Sequence, residues 1–395
     1  MTKTPKIIHI ITRMDMGGSA QNTLMTCLQL AGSYEIILAF GPSVESRMIA
    51  QEQAIVKQRI SQFQSRGGRV VLFPDLVRRI DPIRDTVTLV RLWQWIRTED
   101  PDIVHTHSSK AGFLGRWAAC MAGVPIVVHT PHGHVFHGHF GVALSRLFLC
   151  MERLSDRVTD HLICLTQGEL GDYIDLRVTR PEKASVIHSG VDIQQFQQPE
   201  AALVTTRHIL GIDDRALVVG TVGWLLPIKA PEVLLEAMGH VWRHQTNIVL
   251  IYVGKGDLDG PLKAAVRRMR ATERVRFLGW RQDVPDVMHA FDIFVLPSRN
   301  EGMGRAAVEA LAAGLPVIAS RTGGLPDLVS DGLNGLLVPP GDAKALSRAI
   351  LELCDDLDLR RRMGEHGGSG PKHLVFSGWS ISWMHSTPVC STNAF

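Results

Sequence analysis

The chain has 395 residues, a net charge of +3 and a hydrophobic fraction of 45%. Because this length exceeds the usual size of a single hydrophobic core, we expect two domains. The small net charge argues against a nucleic-acid-binding protein, which normally carries a concentrated basic face. No apolar run is long enough to cross a bilayer, and the segment from Met1 to Thr12 has no signal-peptide cleavage site. The six cysteines are scattered without a Cys-x-x-Cys pair, which is typical of a protein in a reducing cytosol.

Two successive series of short apolar runs alternate with amphipathic stretches, a pattern typical of βα units on parallel sheets. The first series predicts strands at Lys6–Ile11, Glu35–Phe40, Arg69–Phe73, Asp102–His105, Ile126–Thr130, His161–Cys164 and Ala184–Ile187. The intervening helices include Ala20–Ala31, Pro82–Arg97 and Ala111–Met121. The second series predicts strands at Leu217–Val222, Ile248–Val253, Val275–Leu278, Ile293–Leu296, Val317–Ala319 and Leu336–Val338. The fold class is therefore α/β, with two Rossmann-like doubly wound domains that bind ligands at the carboxyl ends of their strands.

The domain boundaries follow from a change in composition. Residues 194–206 are polar and rich in glutamine, so we interpret them as a linker between an N-terminal domain, 1–193, and a C-terminal domain, 207–366. Residues 367–395 have neither helical nor strand periodicity and differ from the rest of the chain. A disordered tail and an altered reading frame near the end of the gene both fit this segment.

The segment from Pro297 to Arg305 follows a predicted strand and precedes a helical run. Gly302 and Gly304 allow the backbone to turn sharply and to approach a ligand. The free amides at the start of the helix suit a diphosphate. Glu301, in the loop, and Glu309, one to two turns into the helix, can both accept hydrogen bonds from sugar hydroxyls. Either glutamate alone is more simply explained as a solvated surface charge, but a second glycine turn follows the next strand.

This block resembles the retaining glycosyltransferases of family 4, which have the GT-B fold. The resemblance extends from about residue 7 to about residue 353 and is carried most specifically by Glu301, Glu309, Ala313-Gly314-Leu315-Pro316-Val317 and Gly323-Gly324. It implies that Glu301 contacts the hydroxyls of the donor sugar and that Glu309 contacts the ribose. It also implies that the backbone at Gly302, Met303, Gly304 and Arg305 meets the sugar and the phosphates.

A second donor element ends at Lys229, shortly after the first strand of the C-terminal domain. A lysine here can offer a point charge to a phosphate, although a lone lysine before a helix is often only solvated. The family usually carries an arginine where this chain has Trp224. Either Arg305 or Arg299 then supplies the missing cation, or the affinity for the donor is lower.

In the N-terminal domain, Gly17 and Gly18 follow the first strand and match the family's first glycine loop, which we assign to donor binding. The resemblance places His132 after the fifth strand, where it lines the donor sugar's site. His107 and Lys110 end the preceding strand and are assigned to the acceptor side.

Metal binding is the obvious alternative for the five histidines His129, His132, His134, His137 and His139. They have no nearby cysteine or carboxylate partner and lack the spacing of a structural zinc site. The Asp257-Leu258-Asp259 segment, which imitates a metal-binding Asp-x-Asp pair, is interpreted as surface loop. We therefore expect a metal-independent hexosyltransferase without a cofactor, for which the nucleotide sugar is a substrate.

No general-base dyad is apparent, which agrees with a retaining transfer in which the leaving diphosphate takes the acceptor's proton. The segments around His107 and His132 resemble bacterial family members that build capsule, exopolysaccharide or O-antigen on a polyprenyl diphosphate carrier. The expected donor is a UDP-sugar, the family's commonest, and the expected acceptor is a glycan or a lipid-linked saccharide. The expected location is the cytoplasm, at the inner face of the cell membrane.

The segment Phe140–Arg157 bears on that location, because it combines apolar residues with Arg146, Arg153 and Arg157. A basic amphipathic helix of this kind either lies on an anionic membrane surface or packs as a buried helix between domains.

Three other functions fit parts of the pattern. Gly254-Lys255-Gly256 imitates the glycine fingerprint of a dinucleotide-binding oxidoreductase, but Gly260 follows after three residues rather than two. A nucleotide-sugar epimerase of the same fold would use the donor without an acceptor. A catalytically impaired protein that binds sugar nucleotides is the third alternative.

Overall fold

The computed structural model of the protein describes residues 4–43, 46, 48–133, 142–191, 193–197 and 206–368. Among these residues the chain divides into two compact units, the first ending at Ser189 and the second beginning at Gly190. Each unit is a parallel α/β sheet with helices, which confirms the predicted fold class. Of the predicted linker and tail, residues 198–205 and 369–395 lie outside the described residues.

The first unit contains a seven-stranded parallel sheet in the order β3-β2-β1-β4-β5-β6-β7. Its strands are β1 (Lys6–Arg13), β2 (Glu35–Gly41), β3 (Arg69–Leu72), β4 (Ile103–His107), β5 (Ile126–Thr130), β6 (His161–Cys164) and β7 (Ala184–Val186). Its helices are α1 (Gly18–Leu30), α2 (Ala50–Ser65), α3 (Pro82–Glu99), α4 (Ser109–Ala122), α5 (Val142–Asp156) and α6 (Gln167–Asp175).

The second unit contains a six-stranded parallel sheet in the order β10-β9-β8-β11-β12-β13. Its strands are β8 (Leu217–Val222), β9 (Ile248–Val253), β10 (Val275–Gly279), β11 (Ile293–Leu296), β12 (Val317–Ser320) and β13 (Gly335–Val338). Its helices are α7 (Pro231–Val241), α8 (Asp259–Arg268), α9 (Val284–Met288), α10 (Arg305–Ala312), α11 (Leu325–Leu328), α12 (Ala343–Asp355) and α13 (Leu357–Gly368). The helix α13 includes Gly367 and Gly368, the first two residues of the predicted tail.

The sheets lie inside the units because their strands are apolar on both faces. In β1, for example, six consecutive residues from Ile7 to Thr12 are buried. This double burial is usual for parallel sheets covered by helices on both sides, and it explains why near-continuous apolar runs located all thirteen strands to within two residues at each end. Helix starts are marked in the usual way: Asp81 caps α3 by accepting a hydrogen bond from the amide of Arg84 (3.2 Å), and Pro82 is the first helical residue.

The strand order in each sheet creates one position where a crevice can form. In the first unit the order reverses between β1 and β4, and in the second unit it reverses between β8 and β11. Loops after such neighbouring strands run in opposite directions, which leaves space for a ligand at the carboxyl ends of the strands. The two reversal points therefore identify where candidate site residues are to be sought.

Of the two alternatives for the segment after residue 140, the exposure of α5 favours a surface helix over a buried one. Only Glu152 and Ser155 of α5 are buried, whereas Val142, Leu147 and Leu154 are 71%, 54% and 45% exposed. None of the helices in the described part of the chain has both the length and the apolarity needed to cross a bilayer.

One buried ion pair holds α5 against α4. The guanidinium of Arg116, 1% exposed, donates two hydrogen bonds from Nη2 to the carboxylate of Glu152, at 2.9 and 2.8 Å. Its Nε also donates to the carbonyl oxygen of Gly112 at 2.8 Å. A charge buried this deeply depends on its partner, because neither group is otherwise solvated.

Replacing Glu152 alone should therefore destabilise the first unit strongly. For Glu152→Leu we expect a loss of about 3–5 kcal/mol, since Arg116 would keep a buried and unpaired charge. The double variant Arg116→Met/Glu152→Leu should recover most of this loss, because it removes both charges and retains similar volume. Thermal and denaturant unfolding of both variants checks this, and equal destabilisation of the two would contradict it.

Candidate functional site

An ion pair joins the two loops that flank the reversal point of the second unit. Lys229 follows β8 and Glu301 follows β11, and Nζ of Lys229 lies 2.6 and 2.5 Å from the two carboxylate oxygens of Glu301. The side chains are 27% and 11% exposed. The two residues singled out in separate sequence motifs, 72 positions apart, therefore meet at the carboxyl edge of the sheet.

Further hydrogen bonds fix the Glu301 loop, one within the loop itself and one to the loop that carries Lys229. The buried hydroxyl of Ser298 donates to Oε2 of Glu301 at 2.9 Å, and the amide of Arg299 donates to the carbonyl oxygen of Ile228 at 2.8 Å. Sequence reasoning missed Ser298. Its spacing of three residues before Glu301 was the available signal, because Ser and Glu at this spacing commonly share local hydrogen bonds.

The glycine turn after β12 is the support for the Glu301 loop. The amide of Gly324 donates to the carbonyl oxygens of Glu301 and Gly302, at 3.1 and 3.0 Å. Gly323 has φ +52°, and a Cβ atom there would lie 1.9 Å from the carbonyl oxygen of Glu301. This close approach gives a physical reason for the paired glycines that follow the glutamate motif in the sequence.

The helix α10 begins directly beyond this loop. Gly304, with φ +83°, is its N-cap, and a Cβ atom there would lie 2.5 Å from Leu325. Met303 is buried, and Arg305 donates from Nη1 to the carbonyl oxygen of Gly190 at 3.1 Å. Glu309 lies on the second turn of the helix. Burial raises the pKa of its carboxyl group, and the charge of Arg305 opposes this effect.

Arg299 and Arg305 are the two candidates to replace the arginine that the family usually carries at the position of Trp224. The contacts of neither side chain favour it over the other. Nη2 of Arg299 donates to Glu232 at 3.1 Å, and both of these side chains are about half exposed. Arg305 donates to the carbonyl oxygen of Gly190.

The Asp257-Leu258-Asp259 segment lies at the surface. Asp257 is exposed, and Asp259 pairs with Lys263 at 2.8 Å.

The reversal point of the first unit carries the glycine loop. Gly17 is the N-cap of α1, and its amide donates to Oδ1 of Asp15 at 2.8 Å. Gly18 is the first residue of the helix. After the neighbouring strand β4, Ser108 has φ 62° and ψ 168°, a conformation that residues other than glycine rarely adopt. The Ser108 hydroxyl lies 3.2 Å from that of Thr12, so the start of α4 is hydrogen-bonded to the end of β1.

Histidines dominate the side chains beside this point. Nδ1 of His107 lies 3.0 Å from Nε2 of His132, and Nε2 of His107 lies 3.0 Å from Nδ1 of His9. His107 is only 2% exposed, and its assignment to the acceptor side stays a prediction. Lys110, also assigned to the acceptor side, pairs with Asp85 at 2.5 Å. His134, His137 and His139 lie outside the described residues.

One nitrogen each of His9, His105 and His107 lies within 4.8 Å of the others, which is close enough to consider a metal ion. Two of these rings are hydrogen-bonded directly to each other, and His105 Nε2 lies 2.8 Å from the hydroxyl of Thr130. Hydrogen bonding therefore accounts for the close approach of these rings.

The buried carboxylate of Glu169 holds the turn that carries His132. Its two oxygens accept hydrogen bonds from the amides of Gly133 and Leu165, both at 2.7 Å. Burial raises the pKa of Glu169 to about 7, although the two amides act in the opposite direction. Sequence reasoning missed this residue, whose signal was the helix-start spacing from Thr166, the N-cap of α6.

Two family models match the chain. The model described as "Glycosyltransferase Family 4" matches residues 28–195, and that described as "Glycosyl transferases group 1" matches residues 205–369. The chain is 36% identical over 291 residues to the UDP-Gal:alpha-D-GlcNAc-diphosphoundecaprenol alpha-1,3-galactosyltransferase of Escherichia coli, covering 73% of this chain and 75% of that protein. It is 31% identical over 316 residues to the D-inositol 3-phosphate glycosyltransferase of Streptomyces scabiei, covering 74% of this chain and 68% of that protein.

Solved structures show the same fold. HepE of Anabaena, crystallised with UDP, is similar with a TM-score of 0.80 at 22% identity, covering 96% of this chain and 98% of that chain. Sucrose-phosphate synthase of Thermosynechococcus elongatus is similar with a TM-score of 0.77 at 21% identity, with the same coverage.

The raised pKa of Glu169 predicts a pH dependence of stability. The folded state holds the proton up to about pH 7, whereas the unfolded carboxyl group, with its usual pKa of 4.5, releases it earlier. Between these values the first unit should therefore lose about 3 kcal/mol of stability as the pH rises. Glu169→Gln should abolish this loss but should remove one amide acceptor at all pH values. Unfolding measured across the range checks this, with Glu182→Gln, at an exposed carboxylate, as the control. Parallel pH profiles for wild type and Glu169→Gln would contradict it.

Proposed function

The chain belongs to the family 4 glycosyltransferases of the GT-B fold, and on this premise we propose that it is a retaining hexosyltransferase. The proposed reaction transfers a hexose from a UDP-sugar to a lipid-linked saccharide in the synthesis of a cell-envelope polysaccharide. The observation that carries the proposal is the contact between Lys229 and Glu301 at the reversal point of the second sheet.

This contact provides both kinds of group that a nucleotide sugar requires. The ammonium of Lys229 attracts the diphosphate, and the carboxylate of Glu301 accepts hydrogen bonds from sugar hydroxyls. A bound diphosphate competes with Glu301 for Lys229, so donor binding exchanges one ion pair for another. The amides at the start of α10 add positive potential beside the same loop. We assign Glu309 to the ribose and the backbone at Gly302–Arg305 to the sugar and phosphates.

In the first unit we assign His132 to the donor sugar and Gly17-Gly18 to the donor's phosphates. Lys110 is assigned to the acceptor side. The burial of His107 indicates that it acts through His132 rather than by touching the acceptor.

The donor and acceptor are inferred from the E. coli relative. Its name specifies a UDP-galactose donor and an N-acetylglucosamine linked through diphosphate to undecaprenol. Both substrates agree with the proposed sites, since the donor diphosphate needs a cation and the sugar needs hydroxyl acceptors. UDP-galactose is therefore the first donor to test.

Catalysis in this proposal depends on charge and positioning. The bond between the anomeric carbon and the UDP oxygen breaks, and negative charge develops on the diphosphate, where Lys229 stabilises it. The acceptor hydroxyl oxygen forms the new bond to the anomeric carbon on the face from which UDP leaves, and the leaving diphosphate oxygen takes the proton of that hydroxyl, so the configuration is retained. No metal and no cofactor is required for this sequence of steps.

Removing the charge of Lys229 should impair transfer with little effect on folding. We expect Lys229→Ala to lower kcat by about 100- to 1,000-fold, the usual cost of losing a group that stabilises developing charge. Lys263→Ala, which removes an exposed lysine that pairs with Asp259 and lies over the ring of Phe277, away from the Glu301 loop, is the matched control and should leave the rate unchanged.

The assay screens UDP-, GDP- and ADP-sugars by thermal shift and then measures transfer to polyprenyl-diphosphate-linked N-acetylglucosamine. NMR of the product determines whether the anomeric configuration is retained. The proposal would be refuted if no nucleotide sugar stabilised the protein, or if Lys229→Ala transferred the sugar at the wild-type rate. Conversion of the donor without an acceptor would instead indicate an epimerase.

We also propose that the exposed face of α5 contacts the membrane that holds the acceptor. At 100° per residue, Arg146, Arg153 and Arg157, which lies just past the helix end, fall within about 60° of Val142 and on the side away from the buried Glu152 and Ser155, and the exposed Leu147 lies at the edge of this face. Within this fully described helix no exposed position carries a carboxylate. A surface of this composition suits anionic headgroups, with apolar side chains entering the interface.

The variant Arg146→Glu/Leu147→Ser should weaken binding to vesicles that contain anionic lipid. We expect a loss of about 10-fold or more, because each basic residue near such a surface contributes about 1 kcal/mol. The pair Arg268→Glu/Met269→Ser, a similar exposed basic and apolar pair in the second unit, is the control. Co-sedimentation with phosphatidylglycerol vesicles at two salt concentrations measures the effect, and equal losses in both variants would refute the assignment.

A further inference from the structure

Glu169 links two segments of the first unit that lie far apart along the chain. It stands in the first turn of α6 and is 3% exposed. Its Oε2 accepts a hydrogen bond from the amide of Leu165, just after β6, and its Oε1 accepts one from the amide of Gly133, in the turn after β5, both at 2.7 Å. Because β5 and β6 are paired neighbours in the sheet, the carboxylate joins the two loops at their carboxyl ends.

The bond to Gly133 is not needed to begin α6. The N-cap of this helix is Thr166, whose hydroxyl accepts a hydrogen bond from the amide of Glu169 at 3.1 Å. In an ordinary capping box the carboxylate at this position returns to the backbone at the start of its own helix, as Oε2 does here toward Leu165. Oε1 instead accepts from a different loop, 36 positions away. This oxygen is therefore committed to the turn that carries His132.

That turn has a backbone conformation that depends on contacts from outside it. His132 and Gly133 both have positive φ values, 60° and 97°, and such a value is unfavourable for the residue that is not glycine. The peptide between these two residues donates its N–H to Glu169. The His132 ring has a separate contact, with its Nε2 3.0 Å from Nδ1 of His107. Glu169 therefore fixes the backbone of the turn, and His107 contacts its side chain.

The surroundings of the carboxylate determine when it is ionised. The titratable groups around it are Asp172 and Tyr173 on α6, Cys164 in β6 and His132 in the turn. Burial raises the pKa of Glu169 to about 7, while the two amides oppose this effect and the charge of Asp172 adds to it. Burial also raises the pKa values of Tyr173 and Cys164, so both stay neutral in this range. Glu169 therefore gains its negative charge close to neutral pH.

A proton on Glu169 releases one of the two amides. The ionised carboxylate has two acceptor oxygens, whereas the protonated group places an O–H, which is a donor, against a backbone N–H. Because the folded pKa is about 7, both amides are bound above this pH and one loses its acceptor below it. Stability changes the other way, since the folded state keeps a proton that the unfolded carboxyl group, with a pKa of 4.5, releases earlier. On acidification between these two values, the first unit therefore becomes more stable while the turn becomes less fixed.

We propose that Glu169 is a positioning residue for glycosyl transfer, and that its carboxylate sets the backbone of the His132–Gly133 turn in the candidate site. This inference deepens the proposed function and rests on it for the part that His132 plays toward the donor sugar. The ionised carboxylate holds the turn in the arrangement that supports transfer. The protein is therefore more active above pH 7, where it is less stable, which is the reverse of what a merely structural carboxylate would give.

The contact can be observed in the unliganded protein, without any assay of transfer. Labelling with 15N-glycine and 13C-carbonyl histidine selects the three His–Gly peptides of the chain. We expect the amide proton of Gly133 to shift downfield as the pH rises, with a midpoint of about 7, and to lose this titration in Glu169→Gln. A titration that persists in the variant belongs to a histidine and would overturn the proposal, as would an unchanged signal in the wild type.

Glu169→Gln also tests the role in transfer. It keeps the size of the side chain and one acceptor oxygen, but its NH2 group cannot accept from the second amide. We expect kcat above pH 7 to fall by about 10- to 100-fold and to lose its rise with pH, because small displacements of a positioned group carry losses of this size. The donor KM should stay nearly unchanged, since the proposed contacts of Lys229 and Glu309 with the donor lie in the second unit.

Thr166→Ala is the matched control, because it removes the hydroxyl that caps the same helix turn and does not touch either carboxylate bond. It should lower the melting temperature and retain the wild-type kcat and pH profile. Equal losses of kcat in the two variants would contradict the positioning role. If Glu169→Gln does not fold, the wild type decides. Activity that rises with pH while the melting temperature falls supports the proposal, and activity that follows the melting temperature refutes it.

The two proposals fail separately. Absence of transfer in the wild type, with the expected titration of Gly133, would refute the proposed function but not the hold of the carboxylate on the turn. A wild-type kcat and pH profile in Glu169→Gln would refute the positioning role and leave the proposed function in place.

Discussion

The ion pair between Lys229 and Glu301 is the interaction on which the second unit's candidate site depends. It joins two loops that leave the sheet in opposite directions. Without this contact, each loop would have few hydrogen-bond partners. Ser298 and the amide of Gly324 then fix the carboxylate and the carbonyl of the same glutamate. Because the pair is already hydrogen-bonded and partly shielded from water, the diphosphate of the proposed donor would meet a lysine whose position is set in advance. Such preorganisation is the main source of electrostatic catalysis.

Backbone strain occurs at the corresponding places in both units. Ser108 and His132 in the first unit, and Ala230 in the second, have positive φ values without being glycine. Each such residue costs on the order of 1–3 kcal/mol and persists only where neighbouring contacts over-determine it. The contacts are visible: the hydroxyl of Thr12 lies beside Ser108, and Glu169 holds the peptide after His132. Three of the six such residues in the described part of the chain therefore lie where the sequence assigns chemistry, whereas Asp100, Arg177 and Arg270 lie at or just after helix ends.

The sequence predicts the fold well because its signal is local. Apolar runs bounded by glycine and polar residues locate the strands, and parallel sheets require such runs. The candidate site is predicted only in part. Glu301 and Lys229 are found through their motifs, but their contact joins residues 72 positions apart, and that of His9 with His107 joins residues 98 apart. The burial of His107 is missed for the same reason, since a side chain's partners are set by strand order, which spacing alone does not reveal. The spacing from Thr166 marks Glu169 as a helix-start residue, but it does not predict the bond to the amide of Gly133, 36 positions away.

The contacts of the candidate bases bear on the mechanism in the proposed function. The carboxylate of Glu301 already accepts hydrogen bonds from Lys229 and Ser298. His107 is buried, and its two ring nitrogens lie within hydrogen-bond distance of His9 and His132. The proposal therefore gives the acceptor's proton to the diphosphate oxygen that is released when the glycosidic bond breaks. Because that oxygen lies on the face from which UDP departs, protonation there requires the acceptor to approach from the same face, and this is the reason that the proposed transfer is a retaining one.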